Sequence, residues 1–102
     1  LWETYGPLDA VVCATSRMAV GALQYLRSIG KRVPQDVMLT GQGDSTLCRV
    51  CSPSITSVRY AYEESGKIAA EMLLEKLDSP SLVARETKLG YTLIERESTA
   101  RK

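Results

Sequence analysis

The chain has 102 residues, a hydrophobic content of 44%, a charged content of 25% and a net charge of +1, all typical of a globular chain of at most one domain. Thirteen basic residues are balanced by twelve acidic ones, which gives no electrostatic basis for nucleic-acid binding, and the apolar runs are too short to span a bilayer. Three cysteines without a recognisable export leader favour reduced thiols in the cytoplasm.

The first predicted elements are the end of a helix and a turn at residues 1–7, followed by a strand at residues 9–15. The apolar, β-branched run of this strand is typical of burial on both faces. Ser16 is a candidate N-cap for the helix that follows, and Gly30 is its predicted end. The apolar stripe of this helix is predicted at Met18, Ala22, Tyr25, Leu26 and Ile29.

A second buried strand is predicted at residues 37–40, and the glycine-rich loop Gly41-Gln42-Gly43-Asp44 follows it. Two strands joined by a helix run parallel, and parallel sheets bind ligands beyond the carboxyl ends of their strands. Here those ends are Thr15-Ser16 and the glycine-rich loop. The sequence therefore predicts a ligand site formed by these two segments.

The later part of the chain continues the same alternation. A loop at residues 45–54 precedes a strand at residues 55–59, and a second helix with a broad apolar face ends near residues 78–81. A last strand is predicted at residues 87–96, with a bend at Gly90, before a polar tail. The fold class is therefore α/β, a parallel sheet flanked by helices. So few strands indicate a fragment of a larger α/β protein.

Several chemical alternatives can be weighed from residue types alone. Gly41-Gln42-Gly43 lacks the third glycine of a dinucleotide fingerprint, and we expect no cofactor. Cys48 and Cys51 have the spacing of a metal or redox pair, but only Cys13 could join them and the chain has no histidine. Core packing is the preferred interpretation of these cysteines. Without histidine the usual base for a Ser or Cys nucleophile is missing, so we expect no metal site and no enzyme.

Five segments, in order, resemble the effector-binding domain of the lactose-repressor/galactose-repressor family of bacterial transcription regulators. The stretch from Ala14 to Ala22 is similar to the family pattern Ala-Asn-Asp-x-Met-Ala-x-Gly-Ala. The other four segments are Arg32–Val37, Pro53–Val58, Gly66–Leu74 and the closing Arg96–Ala100. The sequence differs from the family pattern where Thr15-Ser16 replaces Asn-Asp and where Gly41-Gln42-Gly43-Asp44 replaces Gly-aromatic-Asp-Asp.

The resemblance implies a C-terminal fragment of a periplasmic-binding-protein-like domain. Residues 1–59 would belong mostly to the C-terminal lobe, residues 60–86 would cross to the other lobe, and residues 87–102 would form the returning strand and tail. The implied function is sensing of a small-molecule effector, a sugar or phosphosugar, by a cytoplasmic repressor. Operator DNA would be contacted only by a headpiece outside this chain. The alternative is a transport-associated sugar-binding protein of the same fold.

The resemblance and the strand ends together predict the contact residues. Ligand contacts are expected at Thr15, Ser16, Gly43, Asp44 and Tyr62. For Tyr62, packing is an equally open interpretation. Family members work as homodimers, and apolar residues off the predicted core stripe suggest an interface formed by Val20, Leu23, Leu47, Val50 and Cys51. For Val20 and Leu23 the alternative is that they complete the core.

Overall fold

A computed structural model describes residues 2–81 and 83–100. Leu1, at the start of the predicted N-terminal turn, and Arg101 and Lys102, at the end of the predicted tail, lie outside the described residues. The described elements, in chain order, are α1 (Trp2–Tyr5), β1 (Ala10–Val12), α2 (Ser16–Ser28), β2 (Met38–Gln42), α3 (Thr46–Val50), β3 (Thr56–Tyr60), α4 (Tyr62–Asp78), β4 (Tyr91–Ile94) and a 3₁₀ helix (Glu97–Thr99).

The strands form a four-stranded sheet in the order β1-β2-β3-β4. β1 pairs parallel with β2, with Val11 opposite Leu39, and β2 pairs parallel with β3, with Gly41 opposite Ser57. The predicted α/β class with a parallel sheet flanked by helices is therefore confirmed. The prediction that the first strand is buried on both faces is wrong. β1 is an edge strand, and the Val12 side chain is 75% exposed.

The chain divides into two compact units. The first unit comprises the described residues up to Arg59 together with those from Thr92 onward, and the second comprises Tyr60–Tyr91. The assignment of these segments to two lobes of a larger domain stays a prediction.

The core of the first unit lies between α2 and β2 and includes Cys48 of α3. Its buried apolar residues are Cys13, Ala19, Leu23, Leu39, Cys48 and Ile55. The core face of α2 is thus built on Ala19, Leu23 and Leu26, whereas Met18, Tyr25 and Ile29 of the predicted stripe are exposed. The predicted stripe is therefore correct at Leu26, which is buried, and wrong at Met18, Tyr25 and Ile29; Ala22 is partly buried against the core. Two apolar rows overlap on α2, and a Cβ atom at Gly41 of β2 would lie 3.2 Å from Cβ of Ala19, which belongs to the buried row.

The segment after β2 also differs from the prediction. Residues 45–54 were expected to form a loop, but Thr46–Val50 form α3, which packs against α2 through the fully buried Cys48. Cys13 is buried as predicted, and this burial raises the pKa of its thiol. The side chains of Cys48 and Cys13 therefore pack in the core, while Cys51 is only partly buried.

The predicted polar tail is integrated into the first unit. Ser98 in the 3₁₀ helix is completely buried; its hydroxyl donates to the Leu39 carbonyl and accepts from the Thr56 amide at 2.8 Å. The Glu97 carboxylate accepts bonds from the amide and hydroxyl of Ser54, both at 3.1 Å. The prediction of a solvated polar tail was wrong, because polar residues occur both at solvated chain ends and in buried hydrogen-bonded segments. We call the hydrogen-bonded segment Glu97–Thr99 the C-terminal clasp.

The second unit is formed by α4 and the segment that follows it. Glu63 and Glu64 lie in the first turn of α4, where negative charge is favoured by the helix dipole. An ion pair of 2.6 Å between Arg85 and Glu75 ties the returning segment to the helix. Leu73, Leu74 and Leu77 are more than half exposed within this unit. Among the described helices of both units, none combines the length and apolar character needed to cross a membrane.

Candidate functional site

A cleft of about 470 Å³ lies at the carboxyl ends of β1 and β2, where parallel sheets place their ligands. Six of the eight residues that line it carry polar side chains; the lining is formed by Thr15, Ser16, Arg17, Gln42, Gly43, Ser45, Thr46 and Leu47. The structure therefore brings together three of the predicted ligand contacts, Thr15, Ser16 and Gly43. Asp44 and Tyr62 are not among the lining residues.

Thr15 is the N-cap of α2, one residue earlier than the predicted Ser16. Its backbone is extended, with φ of −140° and ψ of 162°, and its hydroxyl accepts a bond from the Met18 amide at 3.1 Å. Capping satisfies one of the amides that a helix leaves without an internal partner. The Thr15 side chain nevertheless stays exposed, and the hydroxyl proton can still be donated to a ligand in the cleft.

Ser16 is buried and ties three elements together. Its hydroxyl donates to the Gln42 carbonyl at 2.9 Å, and it accepts from the Cys48 thiol at 3.2 Å and from the Ser45 amide at 3.4 Å. The start of α2, the end of β2 and α3 therefore share one hydroxyl. A direct bond from Ser16 to a ligand would compete with these internal bonds.

Gly41 allows β2 to lie against the start of α2. A Cβ atom at position 41 would lie 3.2 Å from Cβ of Ala19 and 3.3 Å from Cα of Ser16. Both distances are shorter than ordinary van der Waals contact, and neither neighbour is a flexible chain end. The absence of a side chain at position 41 therefore determines how closely the two sides of the cleft approach.

The loop Gly43-Asp44 has left-handed backbone angles, with φ of 92° at Gly43 and 43° at Asp44. Such angles are common for glycine but uncommon for a residue with a side chain. Two bonds hold the loop to β3: the Gly43 amide donates to the Val58 carbonyl at 2.9 Å, and the Asp44 amide donates to the Ser57 hydroxyl at 3.0 Å.

The carboxylate of Asp44 is turned into the protein, with its side chain 2% exposed. Oδ2 accepts from Nε of Arg59 at 2.9 Å and lies 2.8 Å from Nη2 of the same residue. Oδ1 lies 2.6 Å from Nη1 of Arg96, a distance that makes an ion pair although the geometry is not that of a hydrogen bond. The guanidinium of Arg96, followed by that of Arg59, keeps the pKa of Asp44 below its usual value.

These contacts change what Asp44 can be expected to do. The sequence predicted a direct ligand contact, but the carboxylate is occupied by two arginines and hidden from the cleft. These contacts tie the loop that lines the cleft to Arg59 and Arg96, and a ligand contact of Asp44 stays a prediction. The meeting of Asp44 and Arg59 had a signal in the sequence, because Asp44 follows β2 and Arg59 lies near the carboxyl end of the neighbouring parallel strand β3. The participation of Arg96 had no such local signal.

Tyr62 belongs to the second unit, at the first position of α4. Its ring is 59% exposed and packs edge-on against Tyr60, with centroids 5.9 Å apart and planes at 71°. This contact is compatible with packing and leaves much of the Tyr62 ring exposed. Both interpretations of Tyr62 therefore stay open.

The residues predicted for the dimer interface fall into three groups. Leu23 is 3% exposed and lies in the core, so its prediction as an interface residue is wrong: α2 turns this side chain toward the sheet. Val20 and Cys51 are partly buried and pack against the same core. Only Leu47, 38% exposed, and Val50, 68% exposed, present an apolar surface on α3.

The described residues show no group of three or more metal-binding side chains. Cys48 donates its thiol to Ser16, as described above, and the cleft offers hydroxyl, amide and guanidinium groups rather than a catalytic base. The arrangement is suited to hydrogen bonding of a neutral or anionic polar molecule.

Comparison with known proteins agrees with this geometry. The sequence model of the periplasmic binding protein-like domain matches residues 2–99, nearly the whole chain. The chain belongs to the periplasmic-binding-protein-like domain family. The cleft can therefore be compared with the corresponding region of other members of this family.

Similar proteins are transcriptional regulators. The chain is 40% identical over 90 residues to the HTH-type regulator YvdE of Bacillus subtilis, covering 88% of this chain and 28% of that protein. It is 37% identical over 89 residues to the ribose operon repressor of Haemophilus influenzae, covering 87% and 27%. A structure of the regulator CelR in complex with cellobiose superposes with a TM-score of 0.91 at 33% identity, covering 95% of this chain and 30% of that chain.

The chain thus spans somewhat more than a quarter of the length of the curated relatives it matches. It corresponds to part of an effector-binding domain, and the predicted resemblance to repressors of this type is confirmed. The relatives are regulators and not enzymes, in agreement with the prediction made from the absence of histidine.

Proposed function

We propose that this chain is the effector-sensing and dimerisation part of a cytoplasmic bacterial transcription regulator that responds to a sugar or phosphosugar. The observation that carries the proposal is the polar cleft at the carboxyl ends of β1 and β2, in a chain whose relatives repress or regulate transcription. DNA contacts would come from a headpiece outside these residues, because the chain itself has a net charge of only +1.

The cleft supplies suitable groups for a sugar. The Thr15 hydroxyl and the side chains of Ser45 and Thr46 are exposed hydrogen-bond donors and acceptors in the cleft lining. Gly43 presents backbone instead of a side chain, so a ligand can approach the loop closely. Arg17 at the rim would favour a phosphorylated sugar over a neutral one, since guanidinium groups bind phosphate in a bidentate manner. Tyr62 stays a candidate for stacking on a sugar ring.

Sensing then depends on a difference in affinity. A ligand changes the equilibrium between two states of the regulator only if it binds one state more tightly than the other. Contacts between the ligand and the cleft would give the two states different affinities for the ligand. Ligand binding would then change the fraction of the regulator that is in its DNA-binding state.

Titration of the purified protein tests the assignment of the cleft. We would add cellobiose, ribose and glucose 6-phosphate separately and follow backbone amide shifts by NMR. Saturable shifts are expected at Thr15, Gly43 and Thr46, while Ser28 at the opposite end of α2 serves as the internal control. Shifts confined to residues outside the cleft, or none with any of the three compounds, would contradict the proposed sugar site.

Association is proposed to use α3. Leu47 and Val50 form its exposed apolar surface, and symmetric pairing of this surface is the simplest way to cover it. Val50→Glu should lower the dimer fraction measured by light scattering at matched concentration. Val12→Glu, at an equally exposed valine of β1, is the matched control. Equal dimer fractions in wild-type protein and Val50→Glu would exclude this surface.

A further inference from the structure

Arg96 is placed to act on the cleft from the far end of the chain. It follows β4, and its side chain is only 11% exposed. Its backbone amide donates to the Thr56 hydroxyl at 2.8 Å, and its Nη1 donates to the Ile55 carbonyl at 2.8 Å. The guanidinium is therefore anchored on Ile55, just before β3, while the same Nη1 lies 2.6 Å from Oδ1 of Asp44.

The Asp44 loop requires such an anchor. Asp44 has a φ of 43°, a conformation that persists in residues with side chains only where the surroundings hold it. Its carboxylate is almost completely buried, and a buried carboxylate without a cation partner is strongly unfavourable. Arg59, the second partner, is 52% exposed, so water screens its pairing far more than that of Arg96.

We propose that Arg96 is a positioning residue for the ligand cleft: by pairing with the buried Asp44 carboxylate it keeps the Gly43-Asp44 loop in its left-handed conformation. The ligand part of this inference rests on the proposed function, because it assumes that the cleft lined by Gly43 binds the effector. The inference that Arg96 holds the Gly43-Asp44 loop in its conformation does not depend on any ligand. Arg96 itself touches no cleft surface and acts through Asp44.

The loop can be monitored without a ligand. Amide hydrogen exchange of Gly43 and Asp44 in the purified protein reports their bonds to Val58 and Ser57. Arg96→Met removes the cation and keeps similar bulk. We expect the protection of both amides to fall at least about tenfold, while the protection of the Leu39 core amide falls much less. In Arg96→Lys the protection of the Gly43 and Asp44 amides should lie between that of Arg96→Met and wild type, because lysine keeps the positive charge but lacks the planar guanidinium group.

Two matched controls separate positioning from general stability. Arg32→Met removes an arginine whose ion pair with Asp36 is exposed, and it should leave both loop amides unchanged. Ser98→Ala removes the acceptor of the Thr56 amide without touching Asp44, and it should lower the protection of the Thr56 amide rather than that of Gly43. Equal protection of Gly43 and Asp44 in Arg96→Met and wild type would overturn the proposal.

A variant that does not fold also leaves a decisive comparison. If Arg96→Met cannot be purified folded, Arg96→Lys is compared with Arg59→Lys. The proposal requires the larger loss of Gly43 and Asp44 protection in Arg96→Lys, since Arg96 is the buried partner. An equal or larger loss in Arg59→Lys would count against it.

Cellobiose titration of the same variants distinguishes the two proposals. If wild-type protein binds cellobiose in the cleft, Arg96→Met should weaken that affinity at least about tenfold and Arg32→Met should not change it. Failure of all three compounds to bind, with the loop amides still sensitive to Arg96, would reject the proposed function and keep the positioning role. Reduced affinity with unchanged loop amides would reject the positioning role alone.

Discussion

The hydroxyl of Ser98 provides a direct test of how the end of the chain stabilises the sheet. It is fully buried, donates to the Leu39 carbonyl on β2 and accepts from the Thr56 amide on β3. Ser98→Ala removes one oxygen atom from a site with no access to water. The substitution adds no bulk, so the lost hydrogen bonds account for its effect.

The magnitude follows from the two groups left behind. A buried donor or acceptor that loses its partner costs about 1–3 kcal/mol. With one donor and one acceptor affected, Ser98→Ala should lower the free energy of unfolding by about 2–6 kcal/mol. Single domains are stable by only about 5–15 kcal/mol, so this loss would be a large share of the total.

Urea denaturation of the purified protein, followed by circular dichroism, measures this free energy. Ser28→Ala is the matched control, because its hydroxyl also donates to a backbone carbonyl, that of Tyr25 at 2.6 Å, but on an exposed helix end. The control should stay within about 0.5 kcal/mol of wild type. If Ser98→Ala were as stable as the control, the buried hydrogen bonds of Ser98 to Leu39 and Thr56 would not stabilise the sheet.

Three further outcomes can be checked with simple assays. Gly41→Ala should lower the free energy of unfolding by about 1–3 kcal/mol, because the new Cβ atom would press on Ala19. Gly21→Ala on α2, where a Cβ atom meets open space, should raise the free energy of unfolding by about 0.5–1 kcal/mol. If urea titrations gave the reverse order, they would contradict the close approach of β2 to α2. The folded-state pKa of Asp44 is lowered, so its ion pairs stabilise the fold fully above the unfolded pKa of about 3.9 and lose that effect as the pH falls through the folded value. In Asp44→Asn the free energy of unfolding should therefore fall less steeply as the pH is lowered below about 4. The same steep fall in wild type and Asp44→Asn would show that Asp44 does not cause the loss of stability in acid. The 102-residue chain should give no sequence-specific retention of operator DNA in a gel shift at low salt.

Local patterns predicted α2, α4 and the three parallel strands, whereas α3 was expected to be a loop. β-branched runs at positions 9–15, 37–40 and 55–59 lie at β1, β2 and β3, because strand formation in such runs depends on neighbouring residues. The position of the cleft followed from the parallel order of two strands alone. The choice of buried face on α2 did not follow, since both apolar rows satisfy helical spacing.

The sequence by itself determined that Thr15, Ser16 and Gly43 come together, because strand ends that are parallel neighbours must meet. Only the tertiary structure decided that Ser16 binds inward, that Leu23 belongs to the core and that the Asp44 carboxylate is turned away from the cleft. It also decided the roles of Arg96 and Ser98, whose partners lie on β2, β3 and the loop between them. A polar side chain is compatible with solvent or with a buried partner, and that choice depends on which distant backbone groups the fold brings within hydrogen-bonding distance.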